Sequence, residues 1–197
     1  MSRVHLVLAS SSPRRRQLLE MLGLTVEVRP PHIVEVRRAD ESPRDYVERL
    51  AREKAAAVPG NLVLAADTTV VVDSEVLEKP ADEADALRML ERLAGRTHEV
   101  ITAIALRTDG GTLQATDVTR VTFRAADQAL LRDYIATGEP MDKAGAYGIQ
   151  GYGAALVEGI EGDFFGVMGL PLRLVLDLLA QAGHPYRFGK SSITTAL

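Results

Sequence analysis

An apolar run at residues 4–9 breaks into Ser10, Ser11, Ser12 and Pro13, and then into three consecutive arginines, Arg14, Arg15 and Arg16. A short apolar run closed by hydroxyl residues and a proline predicts a buried strand feeding directly into a helix, with Ser12 as N-cap and Pro13 as the first helical residue. The arginines carry the wrong charge for that place. The first turn of a helix presents unpaired N–H groups and the positive end of the macrodipole, so each cation there is disfavoured by roughly 0.3–1 kcal/mol. An anionic ligand reverses the sign, because a helix N-terminus after small hydroxyl residues cradles phosphate and guanidinium forks add bidentate contacts to its oxygens. The simpler alternative is that the arginines only coat the surface. A local conflict of this kind points to function.

The rest of the chain predicts an α/β fold by alternating strand-like and helix-like segments with short connections. Leu18, Leu19 and Leu22 mark the inner face of the first helix and Gly23 its stop; residues 25–28 follow as a strand, and a polar loop runs through Glu35. Ser42 and Pro43 start a second helix on which Tyr46, Val47, Leu50 and Ala51 form one stripe, with Lys54 on the same face. Residues 61–66 and 69–72 read as one long buried strand interrupted by Asp67, followed by an acidic hairpin and a helix at 82–94 that ends at Gly95. Strands at 100–106 and 118–124 bracket the Gly110-Gly111 turn as an antiparallel pair, and a helix starting at Asp127 stops at Gly138. Residues 145–169 hold eight of the chain's sixteen glycines, which signals tight turns or close backbone approach. Pro171 opens a last amphipathic helix through residue 180, and residues 190–197 read as a flexible tail after a single domain at 1–189.

Charge and composition narrow the partners. A net charge of −4 supplies no global basic field for nucleic acid, so any recognition of a polyanion must be local. The absence of cysteine excludes disulfides, thiolate metal sites and cysteine nucleophiles. No run approaches the roughly 20 apolar residues of a membrane span, and the run at 4–9 is too short for a signal peptide, so the expected address is cytoplasmic.

Asp67 is the second strong signal. A carboxylate flanked by apolar strand residues must be received by a metal, hydrogen bonds or a cleft, and in that setting it can ligate magnesium or accept a proton from water. A kink that bonds the carboxylate to nearby amides is the alternative. Lys54 either turns its ammonium out to solvent or serves the same site; Lys79, Lys143 and Glu35, taken singly, are ordinary solvated charges. Together they match what a triphosphate needs, several cations plus carboxylates for a metal. The segment 142–151 mixes glycines with Tyr147, which could stack on a base, and Gln150, whose amide both donates and accepts. No Walker A motif or dinucleotide fingerprint is present, the four histidines lack metal-ligand spacing, and His98 reads as structural.

The string Leu8-Ala9-Ser10-Ser11-Ser12-Pro13-Arg14-Arg15 resembles the opening signature of the Maf family of nucleoside triphosphate pyrophosphatases. Arg52-Glu53-Lys54-Ala55, Ala66-Asp67-Thr68, Glu78-Lys79-Pro80, Gly95-Arg96-Thr97-His98, the block 142–151 and Val167-Met168-Gly169-Leu170-Pro171 resemble later family motifs in the same order. The resemblance implies a bent mixed sheet flanked by helices, two lobes around a central cleft, and usually a homodimer. It implies cleavage between the α and β phosphates of a nucleoside triphosphate with a divalent cation, Mg2+ or Mn2+. By that pattern Asp67 is the proton acceptor, Asp67 and Glu35 serve the metal, and Ser10, Arg15, Lys54 and Lys79 line the phosphates. Arg14, Thr68 and Gln150 fall at substrate-discriminating positions. Relatives acting on 7-methyl-GTP carry tryptophan in place of Arg14 and glutamate in place of Gln150, so the resemblance is to the dTTP and UTP branch. A cationic methylated guanine favours an aromatic face and an acid, whereas neutral thymine or uracil needs neither. The alternatives are a 7-methyl-GTP pyrophosphatase, or a nucleotide-binding regulator of cell division with little turnover. One departure is Asp163-Phe164-Phe165-Gly166, where the family more usually has small residues and asparagine.

Overall fold

The computed structural model describes residues 5–188. Val4 and the tail at 190–197 lie outside the described residues. Strand β1 (Leu6–Ala9) is buried at every position. It runs parallel to the two-residue β2 (Glu27–Val28) on one side and to the long β3 (Leu62–Val72) on the other, pairing Leu6 with Leu62 and Leu8 with Leu64. Parallel strands covered on both faces require continuous apolar runs, and both β1 and the first half of β3 supply one.

Helix α1 (Pro13–Met21) follows β1, and α2 (Pro43–Ala56) precedes β3. The stop at Gly23 is a Schellman ending. Its φ is +73°, its N–H bonds the Glu20 carbonyl at 2.8 Å, and the Leu24 N–H reaches back to Leu19 at 3.0 Å. Beyond β3 the chain reverses through Asp73 and Ser74, both at positive φ, into the antiparallel β4 (Glu75–Leu77). Two further long strands, β5 (Thr97–Thr108) and β6 (Gly111–Phe123), are joined by a two-residue turn, and β7 (Val157–Glu161) lies antiparallel to β6. The result is the expected mixed sheet: seven strands in the order β2-β1-β3-β5-β6-β7, with β4 paired to β3.

The sequence pattern differs from the structure in two places. The strand expected at 25–28 is only β2, because just Glu27 and Val28 have partners in β1. Asp67 does not interrupt β3, since strand geometry continues through both Asp67 and Thr68.

The described residues group into two compact units: 5–67, 102–117 and 169–188 in the first, 68–101 and 118–168 in the second. In the first, α2 buries Tyr46, Val47, Leu50, Ala51, Lys54 and Ala55, and α6 (Leu172–Gln181) buries Leu172, Val175, Leu178 and Leu179. Arg107 secures the end of α2, donating to the carbonyls of Ala55 at 2.9 Å, Val58 at 2.7 Å and Gly60 at 3.0 Å. The second unit holds α3 (Glu83–Leu93), α4 (Gln128–Ala136) and the short α5 (Phe164–Val167), each started by an aspartate whose side chain accepts backbone N–H bonds: Asp82, Asp127 and Asp163. Its core contains three rings in mutual edge-to-face contact, His98, Phe123 and Tyr147, with centroids 4.7–5.3 Å apart.

His98 is 2% exposed and shares a 2.8 Å hydrogen bond with the Tyr147 hydroxyl, as a structural histidine should. Burial pulls its pKa down to about 4. The neutral ring therefore favours the fold above the unfolded value near 6.5, and that contribution is lost as pH falls through the range to about 4. The shift corresponds to about 3 kcal/mol at most. Urea unfolding of wild type and His98→Gln across this range should show the wild-type advantage shrinking toward acid; parallel curves would remove His98 as the cause.

Candidate active site

The first unit holds six of the candidate site residues: Ser10, Arg14, Arg15, Glu35, Lys54 and Asp67. Asp67 sits near the middle of β3 and is 7% exposed. Lys54 falls one helical turn after Leu50 on the buried stripe of α2 and is also 7% exposed. Its ammonium does not turn out to solvent. It donates to Asp67 Oδ1 at 2.6 Å and to Glu35 Oε2 at 2.8 Å. Burial pushes the Asp67 pKa up, and the nearby charges of Lys54 and Arg15 oppose that rise.

Glu35 lies on the polar loop between β2 and α2, with 48% of its side chain exposed. That loop is strapped to α2. The Tyr46 hydroxyl donates to the Glu35 carbonyl at 3.4 Å and Arg49 donates to the Val36 carbonyl at 3.0 Å. Arg49 also grips Glu41 with two bonds, 2.6 and 2.8 Å, and Glu53 with a third at 3.0 Å. The hydrogen bonds from Arg49 hold the Glu41 pKa at about 2.

The Ser10-to-Arg16 junction is arranged differently from the sequence expectation. Ser12 occupies the N-cap position with extended backbone, but its side chain makes no capping bond. The buried hydroxyl is that of Ser10, which accepts from the Ser12 N–H at 3.1 Å and from Arg15 Nη1 at 3.4 Å. Arg15 Nε donates to the Gly169 carbonyl at 2.8 Å, which ties the opening motif to the one at 167–171. Burial pulls the Arg15 pKa down, opposed by the charge of Asp67. Arg14 is half-buried beside it, and Arg16 pairs with Glu20 at 2.6 Å on the surface.

Thr68, Lys79 and Gln150 belong to the second unit: Thr68 is half-buried on β3, while Lys79 and Gln150 are exposed. Tyr147 is not available to stack on a base, because its ring is buried between His98 and Phe123. What shapes the loop around Gln150 is Glu139. Its carboxylate accepts from the Tyr134 hydroxyl at 2.9 Å and from the N–H groups of Tyr152 at 2.9 Å and Gly153 at 3.0 Å, while the Tyr134 oxygen accepts from the Gly148 N–H at 3.1 Å. A Cβ on Gly153 would lie 2.4 Å from the Gly148 carbonyl oxygen, so glycine is required there. The departure at 163–166 is a local cap, with Asp163 accepting from the N–H groups of Phe165 and Gly166.

Sequence reasoning missed Arg49 and Glu139. Arg49 left a trace in its i,i+4 spacing from Glu53, but its grip on Glu41 spans a loop whose path no local pattern encodes.

The donor set suits a divalent cation of a particular kind. Glu35 and Asp67 both reach one ammonium nitrogen, and among the described residues no cluster of three or more histidine or acidic side chains is poised for a metal. Magnesium typically takes one or two carboxylates and completes its octahedron with water and substrate phosphates.

A family described as Maf-like protein matches residues 5–182. The dTTP/UTP pyrophosphatase of Anaeromyxobacter dehalogenans strain 2CP-1 is 54% identical over 184 residues, covering 91% of this chain and 95% of that protein. Proteins of the same description from Koribacter versatilis and Salmonella typhimurium are 51% and 53% identical, over 90% and 89% of this chain and 94% and 91% of their own lengths.

The strap on the Glu35 loop can be tested directly. Arg49→Ala should lower the unfolding free energy by roughly 2 kcal/mol, since it removes several charge-assisted bonds. It should also speed tryptic cleavage at Arg37 and Arg38; unchanged cleavage and stability would show that the loop is held by other means.

Proposed function

The chain belongs to the Maf family, and on that premise we propose that it hydrolyses dTTP and UTP to the nucleoside monophosphate and pyrophosphate. The observation that carries the reading is the buried Asp67 carboxylate, paired with Lys54 and influenced by Arg15 at the end of the Ser10 junction. A permanently buried structural ion pair needs no phosphate cradle beside it. A nucleotide hydrolase needs both.

In the proposed reaction a water molecule attacks a phosphorus, and its proton passes to the Asp67 carboxylate as the bond to the departing pyrophosphate breaks. Burial suits Asp67 to this, because it raises the affinity of the carboxylate for a proton. Ser10 and Arg15 orient phosphate oxygens, with Arg15 pre-aimed by its bonds to Gly169 and Ser10. Lys54 and Lys79 neutralise charge that develops on the leaving group. A divalent cation, Mg2+ or Mn2+, held by Glu35 and Asp67 would supply further charge neutralisation on the phosphate oxygens.

Arg14, Thr68 and Gln150 are assigned to discrimination of the base. The Gln150 amide matches the imide edge of thymine or uracil, and the Glu139 network fixes the loop that presents it. We take one family domain to span both compact units and, from the resemblance, a cytoplasmic homodimer. Among the described residues no helix is long and apolar enough to cross a membrane.

Incubation with a panel of nucleoside triphosphates and Mg2+ should give monophosphate and pyrophosphate most rapidly from dTTP and UTP. Stepwise release of inorganic phosphate would overturn the assignment. Asp67→Asn should retain nucleotide binding and lose about 10²–10⁴-fold in turnover, the usual scale for a positioned general base. Gln150→Glu should lower turnover of dTTP and UTP, and equal rates would end its role in reading the base.

A further inference from the structure

Lys54 stands where a divalent cation is expected. An amphipathic lysine on a buried stripe ordinarily carries its ammonium out to water, yet this ammonium is placed between Asp67 Oδ1 and Glu35 Oε2, at 2.6 and 2.8 Å. Those are the two carboxylates that the proposed reaction assigns to the metal. A divalent ion and an ammonium cannot both sit between the same pair of oxygens, because their mutual repulsion in a site as buried as Asp67 would be strong.

The neighbouring cation has tethers to a backbone carbonyl and a hydroxyl. Arg15 is fixed by the Gly169 carbonyl and the Ser10 hydroxyl, whereas Lys54 is a compact charge on a flexible four-carbon stem with three rotatable donors. Lys54 is therefore the group that can change partners.

We propose that Lys54 is a placeholder: in the substrate-free enzyme its ammonium occupies the position between Glu35 and Asp67 that the divalent ion takes in the working complex, and arriving phosphates draw it away. The inference rests on the proposed function and specifies how that site loads. Without substrate, Lys54 compensates the buried Asp67 and engages the oxygen that would accept a proton. Metal alone must displace a bound cation with nothing to receive it. Triphosphate supplies the receiving oxygens, so metal and nucleotide each strengthen the binding of the other, as a reciprocal coupling requires.

The test uses the full chain and Mn2+, whose free form is read by electron paramagnetic resonance. Lys54→Met should bind Mn2+ without nucleotide roughly tenfold more tightly than wild type, a coupling of ordinary size. Adding Glu35→Gln to Lys54→Met should abolish the gain. Equal or weaker Mn2+ binding by Lys54→Met would overturn the proposal, as would a gain that survives Glu35→Gln.

A second measurement needs only wild type and so does not depend on how the variants fold. Its Tm is taken with Mn2+, with the α,β-methylene analogue of dTTP, and with both. The placeholder requires the pair to stabilise by clearly more than the two separate shifts together; additive shifts would overturn it. Turnover of dTTP to dTMP and pyrophosphate alongside additive shifts removes the placeholder and leaves the proposed function standing. No turnover of any triphosphate removes the function itself.

Discussion

The burial of one carboxylate organises the first compact unit. Asp67 lies on a strand that is apolar apart from Asp67, Thr68 and Thr69, and a charge at that depth is tolerated only when it is paired and hydrogen-bonded. The requirement reaches into three other segments. It places a lysine on the inner stripe of α2, where Lys54 continues the spacing of Tyr46, Val47, Leu50 and Ala51. It brings the Glu35 loop to that lysine, and it puts the Arg15 charge within influence of Asp67 at the start of α1. Without Asp67, Lys54 would keep one of its two acids, the half-exposed Glu35.

Much of this was legible in the sequence because it depends on short-range periodicity. The β1-to-α1 junction, the α2 stripe, the Gly23 stop and the aspartates that start α3 and α4 all follow from spacing and capping chemistry, and the structure has each of them. The family resemblance supplied which polar residues to gather. What sequence could not supply was direction. Periodicity places Lys54 on the buried face but cannot say whether its ammonium turns outward; the inward turn depends on Asp67, thirteen residues away. The Ser10–Ser12 exchange has a similar origin. Three consecutive serines offer three hydroxyls, and the choice of Ser10 follows from the depth of β1 and the reach of Arg15.

Tyr147 shows the opposite failure. A tyrosine among glycines suggests an exposed platform, but glycines also let backbone approach closely, and here they bring the ring into the core beside His98 and Phe123. The polar work in that segment is done by Glu139, which gathers the hydroxyl of Tyr134 and two backbone N–H groups around one carboxylate. Burial alone would push its pKa up; those bonds outweigh it and keep the pKa low, so Glu139 serves as a charged knot in a loop with few side chains of its own. Gln150 stays exposed while its surroundings are fixed, which is the combination a recognition residue needs.

The three arginines that first drew attention do not share one fate. Arg16 is satisfied by Glu20 in an exposed i,i+4 pair worth little. Arg15 donates to a backbone carbonyl and a serine hydroxyl and lies within the charge influence of Asp67. Lys54 meets two acids directly, while Arg15 is aimed by a carbonyl and a hydroxyl and lies under the charge of Asp67. A site that must accept a polyanion and also protect a buried base has reason to hold its cations in place in advance, because charges already positioned need no reorganisation when the substrate arrives.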